Sequence, residues 1–136
     1  MERRGAAYWL LLLLGGGALA NGLVMLFAPE PWFVRIAAST GAFNAHLVRD
    51  VGGAYAASGI AAIWAARAPH WRAPLAAIAA LFHGMHGAIH VFDIAVGAQP
   101  PLHLLEDLPG VYLPTLALIA IALRSLREPP AGSSRT

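Results

Sequence analysis

Four apolar blocks, each near the roughly 20 residues a helix needs to cross a bilayer, alternate with short polar connectors along this 136-residue chain. They run from about Ala6 to Ala28, Ala45 to Ala66, Ala73 to Val96 and Leu102 to Leu123. The pattern predicts an all-α, four-transmembrane-helix bundle forming one domain over residues 1–127. Residues 128–136, rich in Pro, Ser and Arg, read as a disordered tail.

The punctuation between blocks has physical causes. Pro29 and Pro31 end the first block, because proline cannot continue a helix without losing backbone hydrogen bonds. Residues 29–45 read as an interfacial connector, with Trp32 and Phe33 at headgroup level beside Arg35. Asn44 is placed to cap the second helix, whose Gly52, Gly53, Ala56, Ala57, Gly59, Ala61 and Ala62 suit close backbone approach. Such small-residue faces also suit a homo-oligomer or a partner in a larger membrane complex. Pro109, Gly110 and Pro114 interrupt the fourth block and free carbonyls near Glu106 and Asp107. A bilayer tolerates that only inside protein or beside a water cavity.

The first block has a rival reading as a secretory signal peptide, with Leu10 to Leu14 as apolar core and Ala18-Leu19-Ala20 as the cleavage-type site. The apolar run continues past that site through Phe27, which favours a retained helix. Arginine placement then sets the orientation. Arg3, Arg4, Arg67, Arg72, Arg124 and Arg127 fall on one side of a four-span arrangement, against Arg35 and the shallow Arg49 on the other. The positive-inside rule puts both termini in the cytoplasm.

Composition narrows the class. The chain is 58% hydrophobic and 12% charged, about half the charge of a soluble domain, with mean hydropathy +0.61. It has no cysteine, which excludes disulfides, thiolate metal sites and thiol redox chemistry. The pI near 9.7 comes from arginines at the membrane edges, so the basic partner is lipid headgroups and not nucleic acid. All nine basic residues are Arg, and Ala and Gly abound, as in G+C-rich bacterial genomes. The expected location is a bacterial inner (cytoplasmic) membrane, spanned several times.

Against this background His83, His86 and His90 stand out. On a helix they fall within about 60° of one another, and Asp93 continues the stripe. An ionisable group within a bilayer costs about 2.5–3.5 kcal/mol on insertion scales, so such groups face a bundle interior and serve a function there. Two further faces lie in the same leaflet: His46, Arg49, Asp50 and Gly53 on the second helix, and His103, Glu106 and Asp107 on the fourth. Asp50, Asp93, Glu106 and Asp107 against Arg49 leave three uncompensated negative charges, which require protonation, a cation or water.

A transition-metal ion (Zn, Fe, Mn or Cu) beside neutral imidazoles meets that requirement; without Cys or a Met cluster, a soft Cu(I) site is disfavoured. His83 and His90 lie about 10 Å apart along a helix, so one neighbouring pair binds, completed by carboxylates from facing helices. The expected ligands are His86, His90, Asp50 and Asp107, with His83, His46, Asp93 and Glu106 as second choices and Arg49 balancing charge or holding an anion. Redox and hydrolytic chemistry both fit such a centre. Haem is the next alternative, with His46 and His86 or His90 as axial ligands. A proton relay or an accessory subunit of a membrane complex is the non-enzymatic one.

Each feature also has a purely structural account. Asn21 suits an interhelical hydrogen bond, and Asp50 a pairing with Arg49 or an outer-surface position. Glu106 and Asp107 suit headgroups at a helix N-terminus. His70 and His103, in or beside turns, read as solvated.

The four short spans, the phrase Asn44-Ala-His-Leu-Val-Arg-Asp-Val-Gly-Gly-Ala-Tyr55 and the later His83-Gly-Met-His-Gly-Ala-Ile-His90 resemble small, uncharacterised bacterial four-helix membrane proteins of the DoxX-like group. The resemblance covers nearly the whole chain and implies an association with membrane redox complexes. It carries over no catalytic residue.

Overall fold

The computed structural model describes residues 5–127; Arg3, Arg4 and the 128–136 tail lie outside them. The described residues are helical with no strand. Helix α1 spans Ala6–Phe27, α2 Pro29–Ile36, α3 Ala45–Arg67, α4 Arg72–Ala95, α5 His103–Glu106 and α6 Leu113–Arg127. Short 3-10 turns at Ala38–Thr40 and Pro69–Trp71 and a π-helical turn at Leu108–Tyr112 complete the path.

Three of these stretches are long and apolar enough to cross a membrane: Ala6–Phe27, Pro69–Ala95 and Leu108–Arg127, with mean hydropathies of 2.1, 1.5 and 1.5. The last of these stretches begins at Leu108 rather than at the expected Leu102, since the chain bends through α5 first. Helix α3 is equally long at 23 residues but less apolar. It carries His46, Arg49 and Asp50 in its first turns and many Gly and Ala residues after them. The reason is packing: α3 is covered by α1 on one side and α4 on another. Small side chains give it neighbours rather than hydropathy.

Helices α1 and α3 run antiparallel at very close range. A Cβ added at Gly22 would sit 2.5 Å from the Gly52 carbonyl oxygen, and one at Gly59 2.6 Å from that of Gly15. The glycine face of α3 is thus used within the chain, although Gly53 looks into open space. Helix α4 packs on α3 and on α6, while α6 has little contact with α1, Leu11 and Leu118 sharing one buried cluster. That end is a dense cluster of Leu11, Ala62, Ala65, Ala76, Ala79 and Leu118. The other end is held by Met25, Val48 and Tyr55, with Trp32, Phe33 and Phe82 against them.

The connector expected over 29–45 contains helix α2, started by Pro29 at a position that needs no N–H donor. Trp32 of α2 donates Nε1–H to the Asn21 side-chain oxygen at 2.8 Å, the interhelical bond foreseen for Asn21. Asn44 caps α3 as expected, its side chain accepting from the His46 and Leu47 amides. Large apolar side chains such as Leu13, Phe27, Ile78, Leu81, Leu116 and Leu126 point outward.

Candidate metal centre

The local chain path explains how α5 reaches α4. Helix α4 ends at Ala95, and Gly97 turns the chain with φ +77°, a left-handed conformation that glycine adopts without strain. The Ala98 and Gln99 amides both donate to the Asp93 carbonyl, and the buried Gln99 side chain donates to the Ser39 carbonyl at 3.1 Å. Pro100 and Pro101 then start α5, which folds back over the end of α4. Asp107 closes α5, and its carbonyl accepts from the Val111 and Tyr112 amides. The second is the i→i+5 bond of a π turn, at a place where Pro109 has no N–H to offer. This turn rests on α4 at Gly87, where an added Cβ would lie 3.2 Å from Val111 and 3.3 Å from Tyr112. Gly87 is one turn before His90, so the close approach brings Asp107 to the histidine stripe.

His90 Nδ1 lies 2.6 Å from Asp107 Oδ2, and His103 Nε2 lies 3.5 Å from the same oxygen. The His90 and His103 rings stack with centroids 5.6 Å apart. One ligand atom from each of His90, His103 and Asp107 fits within a mutual 4.8 Å, the group able to hold a metal ion among the described residues. Each imidazole is steadied through its other nitrogen. His90 Nε2 faces His86 Nε2 at 3.2 Å, and His103 Nδ1 faces Glu106 Oε2 at 3.0 Å. The side chains of His90, His103 and Asp107 are only 19%, 12% and 13% exposed. A carboxylate so placed is compensated by a proton, shared with its imidazole neighbours, or by a cation.

The remaining expected residues are distributed as follows. His86 adjoins the triad through His90. Glu106 adjoins it through His103 and is itself 62% exposed. His83 is one turn deeper, 4% exposed, with Nδ1 lacking a hydrogen-bond partner. Tyr55 sets its ring edge-on to both His83 and His86. His46 and Asp50 pair with each other at 3.4 Å on the surface, 88% and 61% exposed, and do not join the triad. Arg49 donates to the Leu26 carbonyl at the end of α1, leaving the triad without it. Asp93 is half-buried, outside the triad.

His103 corrects the sequence reading. Expected to be solvated beside a turn, it is largely buried against His90 and Asp107. The signal was its i,i+3 and i,i+4 spacing to Glu106 and Asp107; the reversal that lays α5 over α4 has no local signature. The haem pairing of His46 with His86 or His90 is not assembled, because His46 points to the surface. The His90 and His103 rings stack face to face, whereas axial ligands must direct nitrogens at one another across a macrocycle.

Compared with known proteins, the chain matches no family model, no curated protein and no solved structure.

Proposed function

We propose that this chain is a small multi-pass membrane metalloprotein whose centre is held by His90 Nδ1, His103 Nε2 and Asp107 Oδ2. The observation that carries the reading is the convergence of these three donors from α4 and the α5 bend within 4.8 Å. Bonds of about 2.0–2.2 Å to His and carboxylate require ligand atoms roughly 3.3 Å apart in a tetrahedral shell. The separations of 2.6 and 3.5 Å bracket that value. Imidazole with carboxylate suits Zn, Fe, Mn or Cu(II). Three protein ligands leave a fourth position for water or a substrate oxygen, the arrangement of a reactive rather than a purely structural centre. Hydrolytic and redox reactions both begin from such a position.

In this proposal α1, α3, α4 and α6 all cross a bacterial inner membrane, both termini are cytoplasmic, and the centre lies in the outer leaflet. The outward-facing apolar side chains support a lipid environment, since soluble monomers rarely expose such patches. Helix α3 crosses under cover of α1 and α4, which accounts for its lower apolarity. The resemblance to the DoxX-like group and its membrane redox complexes belongs to the same reading. A through-membrane proton relay is less well supported: on α4 the polar column stops at His83, and the buried Ala76, Ala79 and Ala80 follow.

Metal analysis of detergent-purified protein tests this. Near-stoichiometric Zn, Fe, Mn or Cu is expected, and it is lost on His90→Ala with His103→Ala. Metal-free protein that takes up none of these ions on titration would end the reading, and a Soret band would replace it with haem.

A further inference from the structure

On the face of α4 opposite the histidine stripe, small side chains leave a trough between α4 and α6. Buried Ala80 and Ala122 form its floor, Ala77 and Gly84 extend it along α4, and the exposed Leu81 and Leu123 stand as walls. Its volume is about 420 Å³ and its lining is almost wholly apolar. That lies within the roughly 300–1,000 Å³ of ligand sites. Helix packing does not demand the hollow. A Cβ added at Gly84 would meet only Thr115 Cγ2, at 3.7 Å, an ordinary contact. Glycine there leaves space that α4 and α6 do not use.

From Ala77 to Met85 the trough runs about 12 Å along α4. That is most of one leaflet's half of a hydrocarbon core roughly 30 Å thick. Its mouth lies where α4 begins and α6 ends. Arg127, exposed, is one turn beyond Leu123 at i+4 and so continues the trough's face of α6, whereas Arg124 points to the far side of that helix. The described carboxylates, Glu30, Asp50, Asp93, Glu106 and Asp107, all belong to the opposite end of the bundle. We propose that the trough seats one acyl chain of an anionic phospholipid from the surrounding bilayer, with the lipid phosphate paired to Arg127. This rests on the membrane reading above and is independent of the metal centre. A basic group at the cytoplasmic mouth of a crevice between membrane helices is where anionic headgroups bind. A zwitterionic lipid brings its own cation beside Arg127 and loses that advantage. Seated there, the lipid braces α4 against α6 from behind the histidines.

The test offers lipid-stripped, full-length protein in detergent either dioleoyl-phosphatidylglycerol or the phosphatidylcholine with the same chains, read by native mass spectrometry. One phosphatidylglycerol per chain is expected, held in preference to phosphatidylcholine. Arg127→Gln should weaken it about fivefold, the effect of one Arg beside an anionic headgroup, and Arg124→Gln should leave it unchanged. Gly84→Leu fills the trough's inner end and Ala77→Leu its mouth, and both should lower retention. Ala77 is exposed, so its variant keeps the comparison valid if Gly84→Leu fails to fold. Equal retention of the two lipids, or equal losses in the Arg127 and Arg124 variants, overturns the headgroup pairing and the lipid site with it. Oleic acid held as tightly as phosphatidylglycerol gives the trough to a free fatty acid, and a lipid-independent dimer broken by Ala77→Leu gives it to a second copy; either overturns the lipid site. A chain that stays dissolved without detergent ends the membrane reading and the lipid site together, whatever its metal content.

Discussion

His90 and Asp107, 17 residues apart, meet at 2.6 Å and so pin the bend after α5 to the last turns of α4. A partly buried hydrogen bond to a charged group contributes about 1.5–3 kcal/mol. Asp107→Asn keeps the shape but removes the charge. It should abolish near-stoichiometric metal binding, and in chelator-treated protein lower stability by about 1–3 kcal/mol. Metal content and thermal unfolding in detergent measure the two effects separately. Unchanged metal content would show that Asp107 is a structural partner only.

Glu106 touches His103 Nδ1 at 3.0 Å and orients the ring so that Nε2 faces Asp107. Partners of this kind are worth about 10–100-fold in metal affinity. Glu106→Ala should weaken Zn²⁺ binding by about that factor without changing its stoichiometry, and Glu106→Gln should weaken it less, since the amide oxygen still accepts from Nδ1–H. Competition with a chromophoric chelator reads the affinity. Because Glu106 is 62% exposed, little change in thermal stability should accompany it.

How much of this site the sequence reveals depends on which contacts are local. The stripe of His83, His86 and His90 follows from helical period alone, as do the cap at Asn44 and the start of α4 near Ala73. His90 and Asp107 are two of the four residues the sequence singles out as ligands, because both types are expensive in an apolar segment, and they lie side by side. Helix rotation and chain reversal have no such signal. His46 and Asp50 have the same i,i+4 spacing as His86 and His90, yet their helix turns them outward. His103 lies beside two prolines and looks like a loop residue, but the α5 reversal buries it. Helix α2 is hidden for a different reason: Pro29 and Pro31, in its first turn, mark both a break and a new start.

The α1–α3 contact depends on glycine at four places. At Gly22 an added Cβ meets the Gly52 oxygen at 2.5 Å and the Ala56 amide at 2.6 Å; at Gly59 it meets the Leu19 amide at 2.5 Å. These neighbours are backbone atoms and cannot swing away. Gly22→Ala and Gly59→Ala should each cost about 1–3 kcal/mol, the usual penalty of overpacking. Gly16→Ala and Gly17→Ala, on the same α1 but with nothing within 4 Å, should be neutral or raise stability by up to about 1 kcal/mol through helix propensity. Thermal unfolding of the four variants in one detergent decides it, and equal effects would mean that the two helices separate readily.

In the proposed four-span topology α3 crosses the bilayer, and the chain's lack of cysteine makes that directly testable. Ser39 precedes α3 and His70 follows it, and both are exposed. In the four-span arrangement they lie on opposite faces of the membrane, Ser39 outside and His70 in the cytoplasm. If α3 stayed on one side, both would share a face. Single variants Ser39→Cys and His70→Cys, labelled in intact cells with an impermeant maleimide, should react only at position 39, with position 70 labelled after lysis. Because the Ser39 carbonyl binds the Gln99 side chain, the exposed neighbour Ala98→Cys should label with Ser39→Cys. Labelling of positions 39 and 70 together would reduce the protein to three crossings and move the His90 centre relative to the membrane.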